Sequence, residues 1–228
     1  MSYYPGKIND EYVKEYIEKI IPKEENEFIY ELRKYANEKN VPIIEVETEK
    51  MLEVFIKASN IKSILEVGTA IGYSSIIFSR AMNYNGKLTS LEINKETHEI
   101  AKKNIKEYKE SLNIDFDIKL VLADAKTGLE SVKGIYDLIF IDAAKGHYKK
   151  FYDQITENLK EGSIIISDNV LFKGMIATDE YMIRRKKTIV KRMREYIDFL
   201  MNSPLLTTTV IPIGDGVAIS YYNGGQHE

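Results

Sequence analysis

The chain has 228 residues, of which 44% are hydrophobic and 29% are charged, and its formal net charge is −3. This composition excludes a disordered or fibrous protein, and the negative charge leaves only a local basic patch as a means of binding nucleic acid. The lack of cysteine excludes disulfides, thiolate metal sites and cysteine nucleophiles. Residues 1–7 lack the apolar stretch of a signal peptide, and no segment reaches transmembrane length, so we expect a cytoplasmic protein that does not bind membranes.

The first 58 residues show helical periodicity and almost no strand signal. Apolar residues at helical spacing predict three helices, one from Ile8 to Ile20, one around Phe28 to Tyr35 and one around Met51 to Ile56. We expect this segment to be an elaboration packed against the rest of the chain.

From residue 59 onward, short runs rich in Ile, Leu and Val alternate with polar helical stretches. The predicted strands are 62–67, 87–92, 117–122, 136–141, 162–167, 206–212 and 216–222. The predicted helices between the first five strands are 73–82, 95–110, 126–132 and 148–159. Such alternation predicts an α/β fold, a doubly wound, mostly parallel sheet of seven strands in the Rossmann-like manner.

The end of the chain breaks the alternation. Two strands flank the turn Gly214-Asp215-Gly216 with no room for a helix between them, so we expect an antiparallel hairpin. No linker or internal repeat interrupts the sequence, and we therefore predict a single domain over 1–228, with residues 59–228 as its Rossmann-like core.

A glycine loop follows the first predicted strand. Its spacing is Glu66-x-Gly68-x-x-x-Gly72, where glycine lets the backbone turn sharply and approach a ligand. A dinucleotide site would use Gly-x-Gly-x-x-Gly to present a helix N-terminus to a pyrophosphate, whereas S-adenosylmethionine has no phosphate and carries a sulfonium cation. Acids at later strand ends suit the ribose hydroxyls and the adenine. The predicted cofactor-binding residues are Glu66, Gly68, Thr69, Gly72, Tyr73, Ser74, Glu92, Asp124, Ala125 and Asp142.

Polar residues also end the fourth and fifth predicted strands. Asp142 ends the fourth strand with Lys145 three residues on, and Asp168-Asn169 ends the fifth. Two carboxylates and one amide oxygen form a hard donor set that suits Mg²⁺, or Mn²⁺, better than zinc. Such a site would favour deprotonation of a hydroxyl, and Lys145 could accept the proton or hold the oxyanion. A turn or helix cap remains the alternative interpretation of Asp168-Asn169 alone.

Together these motifs resemble the metal-dependent O-methyltransferases of the catechol and caffeoyl-CoA type. The resemblance covers residues 40–222 and includes Gly72-Tyr73-Ser74 and Pro212-Ile-Gly-Asp-Gly. It implies that Asp142, Asp168 and Asn169 bind the metal, that Lys145 and Asp142 are catalytic with Lys145 as the base, and that the enzyme is a homodimer. In one departure, Glu49-Lys50-Met51 stands where many small-molecule members carry Gly-Gln.

A basic stretch, Tyr181 to Arg194, is predicted to be a helix with its bases on the solvated face. Such a cluster in an acidic protein is either a phosphate-backbone footprint or an ordinary solvated face. The whole chain is similar to bacterial tRNA 5-hydroxyuridine methyltransferases, whose substrate presents two adjacent oxygens as a catechol does. This resemblance implies an S-adenosylmethionine-dependent enzyme that methylates 5-hydroxyuridine at the tRNA wobble position to 5-methoxyuridine. The predicted tRNA-binding residues are Arg184, Arg185, Lys186, Lys187, Lys191, Arg192 and Arg194.

Three alternatives remain at this point. A small-molecule O-methyltransferase acting on catechols or caffeoyl-CoA-like esters would share every catalytic residue with a tRNA enzyme. A nicotinamide-dependent oxidoreductase is disfavoured by the glycine spacing and the acid set. A non-catalytic adenosylmethionine-binding module would not need Asp142, Lys145, Asp168 and Asn169.

Overall fold

The computed structural model describes residues 11–225, apart from the side chains of Lys126 and Ser131. The segment searched for a signal peptide and the predicted helical position Ile8 lie outside these residues. Within the described part of the chain, no helix is long and apolar enough to cross a membrane.

The helices follow the predicted order. Their bounds are α1 Glu11–Ile20, α2 Glu27–Lys39, α3 Val46–Ala58, α4 Tyr73–Ala81, α5 Lys95–Leu112, α6 Ala125–Gly128, α7 Tyr148–Ile155 and α8 Lys187–Asn202. Asparagine side chains begin two of them, since Asn26 and Asn94 each accept a hydrogen bond from the backbone N–H three residues on, at 3.0 Å. Two predicted helices end early in 3₁₀ turns, 126–132 at Leu129–Ser131 and 148–159 at Thr156–Asn158.

The strands lie within two residues of their predicted bounds. They are β1 Ser63–Val67, β2 Lys87–Glu92, β3 Asp117–Leu122, β4 Leu138–Ile141, β5 Ile164–Ser167, β6 Leu206–Ile211 and β7 Val217–Tyr222. Their order in the sheet is β3-β2-β1-β4-β5-β7-β6. The predicted mostly parallel seven-stranded sheet with an antiparallel C-terminal hairpin is therefore confirmed.

The chain divides into two compact units, of which the first is Ile17–Gly128. In it, β1 pairs with β2 and β2 with β3, all parallel. Helix α3 packs on α4, and α4 also contacts α5 and β2. This unit carries the glycine loop.

The second unit comprises the described residues before Ile17 and after Gly128. Here β4 pairs with β5 in parallel, while β7 runs antiparallel to both β5 and β6. Helix α8 packs on β6 and α7. The predicted single domain stays a prediction.

Candidate functional site

The glycine loop joins β1 to α4 and has the backbone that its sequence predicts. Gly68 and Gly72 have φ values of 109° and 85°, a region that side chains rarely adopt. The N–H groups of Gly68 and Thr69 both donate to the Leu91 carbonyl, at 3.0 and 3.1 Å. These bonds hold the loop against the carboxyl end of β2, where open α/β sheets bind ligands.

Gly72 is required by space as well as by conformation. A Cβ atom there would lie 3.2 Å from the Ile105 Cδ1 and 3.4 Å from the Ala101 Cα of α5. We expect Gly72→Ala to destabilise the fold by roughly 1–3 kcal/mol, because it adds strain at positive φ and a clash with a packed helix. The midpoint of urea unfolding measures this. An unchanged midpoint would contradict this prediction. Gly134→Ala is the control, because Gly134 also has a positive φ but a Cβ there would meet only the Tyr136 hydroxyl at 4.0 Å. Its effect therefore measures backbone strain without the clash.

The acids predicted to hold the cofactor's ribose and adenine lie at their expected strand ends. The Glu92 carboxylate accepts the N–H of Ala70 and that of Asn94, both at 2.9 Å, and so links β2 to the glycine loop. Asp124 and Ala125 are half-buried, after β3 and at the start of α6. Their contacts with the cofactor remain predictions.

Glu66 has a setting that the sequence did not reveal. It is fully buried, and its carboxylate accepts hydrogen bonds from the hydroxyls of Ser74, Ser75 and Ser90. Ser90 is also 2.6 Å from the buried Thr69 hydroxyl. Three of the predicted cofactor residues, Glu66, Thr69 and Ser74, thus belong to one buried cluster that ties the loop to β1, β2 and α4.

The second group of predicted residues ends β4 and β5. Ile141 and Ser167 are paired in register, so the residues that follow them, Asp142 and Asp168, emerge side by side. The Asp168 N–H donates to the Ile141 carbonyl at 2.9 Å. Asn169 follows with a φ of 54°, a left-handed conformation that asparagine tolerates.

Lys145 is brought to the same place. It opens the 3₁₀ turn Lys145–His147, and its Nζ donates to the Asn169 Oδ1 at 2.7 Å. Below it, the buried Tyr148 hydroxyl donates to the Asp168 carbonyl at 3.0 Å. Asp142, Lys145, Asp168 and Asn169 therefore lie in one cluster, while their roles in metal binding and catalysis stay predictions. The hydrogen bond from Tyr148 helps to hold Asp168 in this cluster.

The charges of this cluster favour a bound cation. Burial, and next the neighbouring Asp142, raise the pKa of Asp168 to about 7, against the lowering influence of the Asn169 N–H and Lys145. Burial also raises the pKa of Asp142, against the influence of Lys145. Adjacent buried carboxylates hold protons because their charges repel, and a divalent cation would remove that cost.

Few side chains in this cluster have atoms that could coordinate a metal ion. No group of three or more His, Cys, Asp or Glu side chains that could hold a metal exists among residues 11–225. The residues that fit a hard cation are two carboxylates, Asp142 and Asp168, and the Asn169 amide oxygen, which leaves coordination positions for water and substrate.

If Mg²⁺ binds to Asp168, its effect on the stability of the protein should depend on pH. The folded-state pKa of Asp168, about 7, lies above the 3.8 of an ordinary aspartate, so without metal the unfolding free energy falls as pH rises between these values. Mg²⁺ needs the charged carboxylate, and so the increase in Tm on adding Mg²⁺ should be larger at about pH 8 than at about pH 6. Equal increases at both pH values, or the same increase in Asp168→Asn, would contradict it.

The basic stretch differs from its prediction at its start. Helix α8 begins at Lys187, and the residues before it form 3₁₀ turns at Asp179–Tyr181 and Arg184–Lys186. The predicted helix from Tyr181 is therefore wrong over its first six residues. Thr178 caps the first of these turns by accepting the Glu180 N–H at 3.2 Å.

Four of the seven bases have partners within the protein: Lys191 pairs with Glu195 at 3.8 Å, the Lys186 Nζ lies 5.8 Å from the centre of the Phe172 ring, and Arg192 and Arg194 donate hydrogen bonds to backbone carbonyls. Arg194 is half-buried and donates to the carbonyls of Ile176 and Met175, at 2.9 and 3.4 Å, and it pairs with Asp179 at 2.8 Å. The predicted solvated face therefore does not include Arg194. Arg192 donates to the Gly146 carbonyl at 3.3 Å, next to Lys145. The bases Arg184, Arg185, Lys187, Lys191 and Arg192 are exposed, and Lys186 is half-buried.

Comparison with known proteins points to one family. The model of the O-methyltransferase family matches residues 19–222. A candidate caffeoyl-CoA O-methyltransferase of Arabidopsis thaliana is 31% identical, over 94% of this chain and 94% of that protein.

Solved structures agree. The crystal structure of a candidate caffeoyl-CoA O-methyltransferase from Staphylococcus aureus has a TM-score of 0.80 at 33% identity and covers 92% of this chain and 97% of that one. An O-methyltransferase of Streptomyces achromogenes involved in tomaymycin synthesis, solved in complex with SAM, has a TM-score of 0.75 at 22% identity, over 93% and 96% of the two chains. The latter likeness shows the fold alone.

Proposed function

Because the chain belongs to the O-methyltransferase family, we propose that its S-adenosylmethionine-dependent reaction requires a divalent cation and methylates one oxygen of a small catechol-like molecule. The observation that carries the proposal is the pair of neighbouring carboxylates, the half-buried Asp142 and the buried Asp168, beside Lys145 and Asn169. An acceptor with two adjacent oxygens suits a cation that keeps coordination positions open.

Each of the residues at the site has a separate role in the proposed reaction. Asp142, Asp168 and Asn169 would hold Mg²⁺, or Mn²⁺, which when bound supplies positive charge that favours loss of the acceptor's hydroxyl proton. Lys145, which contacts Asn169, accepts that proton at Nζ or stabilises the oxyanion. The loop from Gly68 to Gly72 holds S-adenosylmethionine, the methyl donor. The oxygen forms its bond to the methyl carbon as the bond from that carbon to sulfur breaks.

The names of the relatives favour a small-molecule acceptor. The similar proteins of Arabidopsis thaliana and Staphylococcus aureus both bear the name of a methyltransferase of caffeoyl-CoA, whose caffeoyl ring is a catechol. The match extends over more than nine-tenths of each chain. We therefore place catechols and caffeoyl-CoA-like esters first among acceptors.

The basic stretch supports a second candidate, tRNA containing 5-hydroxyuridine. Five exposed bases lie between Arg184 and Arg192 in a protein of net charge −3. The exposed Arg192 also contacts Gly146, the residue after Lys145, so the stretch adjoins the acid cluster. The ring hydroxyl and carbonyl of 5-hydroxyuridine form the same adjacent pair of oxygens as a catechol.

One experiment separates the candidates. The purified protein is incubated with labelled S-adenosylmethionine and either caffeoyl-CoA, a simple catechol or tRNA from cells lacking this gene, with Mg²⁺ or with EDTA. Label on the small molecules alone supports the first candidate, and label recovered as 5-methoxyuridine supports the second. Label that persists in EDTA would refute the metal requirement in either case.

Salt dependence gives an independent check on the tRNA candidate. Phosphate contacts release counterions, so affinity for tRNA would fall steeply with salt, and Lys187→Gln with Lys191→Gln would reduce the slope. Salt-insensitive binding would refute a role for these bases.

We also propose that the protein is a homodimer. Helix α1 has no buried residue, and its apolar side chains are exposed, including Tyr12 at 81%, Tyr16 at 63% and Ile20 at 58%. An apolar face of this kind is typical of a surface covered by a second copy. Sedimentation equilibrium measures the mass, and Tyr16→Lys should shift it toward the monomer. A monomeric native protein would refute the proposal.

A further inference from the structure

The departure from the family at residues 49–51 has a structural counterpart. Glu49 lies in the first turn of α3 and its side chain is fully buried. A buried carboxylate is costly unless it is paired and hydrogen-bonded. Arg33 of α2 pairs with it at 2.8 Å, and Arg80 of α4 lies 3.4 Å away.

Glu49 also accepts a hydrogen bond from Tyr73, the first residue of α4. The Tyr73 hydroxyl donates to the Glu49 Oε2 at 2.6 Å and accepts from the Arg33 Nε and Nη2 at 2.8 and 2.5 Å. Tyr73 is only 2% exposed. Burial and the adjacent Glu49 raise the pKa of the phenol well above its ordinary value, so the hydroxyl remains a donor.

The cluster of Glu49, Arg33 and Tyr73 reaches the end of the glycine loop through Tyr73. Tyr73 directly follows Gly72, whose φ of 85° turns the chain into α4. Gly72 is the N-cap of this helix and has no side chain that could cap it by a hydrogen bond. The Tyr73 hydroxyl is therefore a fixed point that ties the end of the loop to α2 and α3. A glycine at position 49, as in the family pattern, has no carboxylate to accept from it.

We propose that Glu49 and Arg33 are positioning residues for S-adenosylmethionine, which act by holding the Tyr73 hydroxyl and with it the loop from Gly68 to Gly72. The inference rests on the S-adenosylmethionine dependence of the proposed function. It does not depend on the metal or on the acceptor.

The test compares Tyr73→Phe and Glu49→Gln with the native protein. We measure the KM for S-adenosylmethionine, kcat, Tm and the Kd of S-adenosylhomocysteine by calorimetry. Each variant should raise the KM and the Kd on the order of 10-fold, while kcat at saturating cofactor stays within about twofold. The calorimetric Kd needs no acceptor or metal, so failure of the proposed acceptor or metal leaves this test valid.

A double-mutant cycle shows whether Glu49 acts through the tyrosine. If it does, Glu49→Gln has little further effect on the Kd in the Tyr73→Phe background. If Glu49→Gln does not fold, because it removes the buried carboxylate that pairs with Arg33 and one of the carboxylates near Arg80, Tyr73→Phe decides alone. That variant removes one oxygen and keeps the ion pair.

Tyr84→Phe is the matched control. It removes a hydroxyl that is 2.7 Å from the Tyr108 hydroxyl in the same unit, after α4 and away from the loop. Its KM for S-adenosylmethionine should be native. An unchanged Kd in Tyr73→Phe with only a lowered Tm, or equal rises in Tyr73→Phe and Tyr84→Phe, would overturn the proposal.

Discussion

Replacing Asp168 with asparagine is expected to lower kcat/KM in the presence of Mg²⁺ by at least about 10³-fold. A metal ion that polarises a substrate oxygen contributes several kcal/mol of charge stabilisation in enzymes that use one, and each ~1.4 kcal/mol corresponds to tenfold in rate. Asparagine keeps the size of the side chain and an oxygen that can accept the Asn169 N–H, which Asp168 accepts at 2.6 Å. The loss therefore reports the charge and not a collapsed loop.

The fold should tolerate this change. Burial and Asp142 raise the pKa of Asp168, which means that without metal its negative charge disfavours the folded state. Asp168→Asn removes that charge, so its Tm without metal should equal or exceed the native value at about pH 8. Asp153→Asn, an exposed partner of Lys149 in α7, is the control and should keep native activity. An Asp168→Asn enzyme with native, EDTA-sensitive activity would refute the assignment of this carboxylate to the metal.

The strand ends were predictable because two local signals agree there. The fully buried strands β4 and β5 are short, mostly apolar runs, and the acid that follows each of them, Asp142 or Asp168, marks where the chain reaches the edge of the sheet. Parallel pairing then places such residues along one edge without further information. The grouping of Asp142 with Asp168 follows from this rule and from the register of Ile141 with Ser167.

Long-range contacts explain what the sequence did not show. A helix from Tyr181 satisfied the periodicity of apolar residues, yet the chain there forms 3₁₀ turns. Arg194 pairs with Asp179 and donates to the carbonyls of Ile176 and Met175, which lie 18 and 19 residues earlier. These contacts hold the segment before α8 in place. Periodicity records which residues are apolar but not which distant side chain competes for a backbone carbonyl.

Buried polar networks were hidden for the same reason. Glu49 lies near the start of a helix, where an acid is usually explained by the helix dipole. Its pairing with Arg33, 16 residues earlier, and Tyr73, 24 residues later, needs the packing of α2, α3 and α4. The serines that bind Glu66 likewise read as ordinary helix and strand residues. Such networks are visible only once the helices are placed.

Lys145 is expected to be the second essential residue, and two substitutions distinguish its possible roles. Lys145→Met removes both the charge and the proton acceptor, and should lower kcat/KM by about 10²- to 10⁴-fold. Lys145→Arg keeps the positive charge, but a guanidinium cannot be deprotonated and so cannot accept a proton. If Lys145 is the base, arginine should be as inactive as methionine. If it stabilises the oxyanion, arginine should restore a large part of the activity.

Mg²⁺ binding provides the control for both variants, because Lys145 also lowers the pKa of Asp142 and Asp168 by its charge. Lys145→Met removes the ammonium group and so makes the electrostatic potential at the two carboxylates more negative. This variant should therefore bind Mg²⁺ as tightly as the native protein or more tightly. Weaker Mg²⁺ binding would mean that the lysine supports the metal site through its contact with Asn169. Native turnover in Lys145→Met would show that proton removal needs no protein base and that the charge of the bound cation is sufficient.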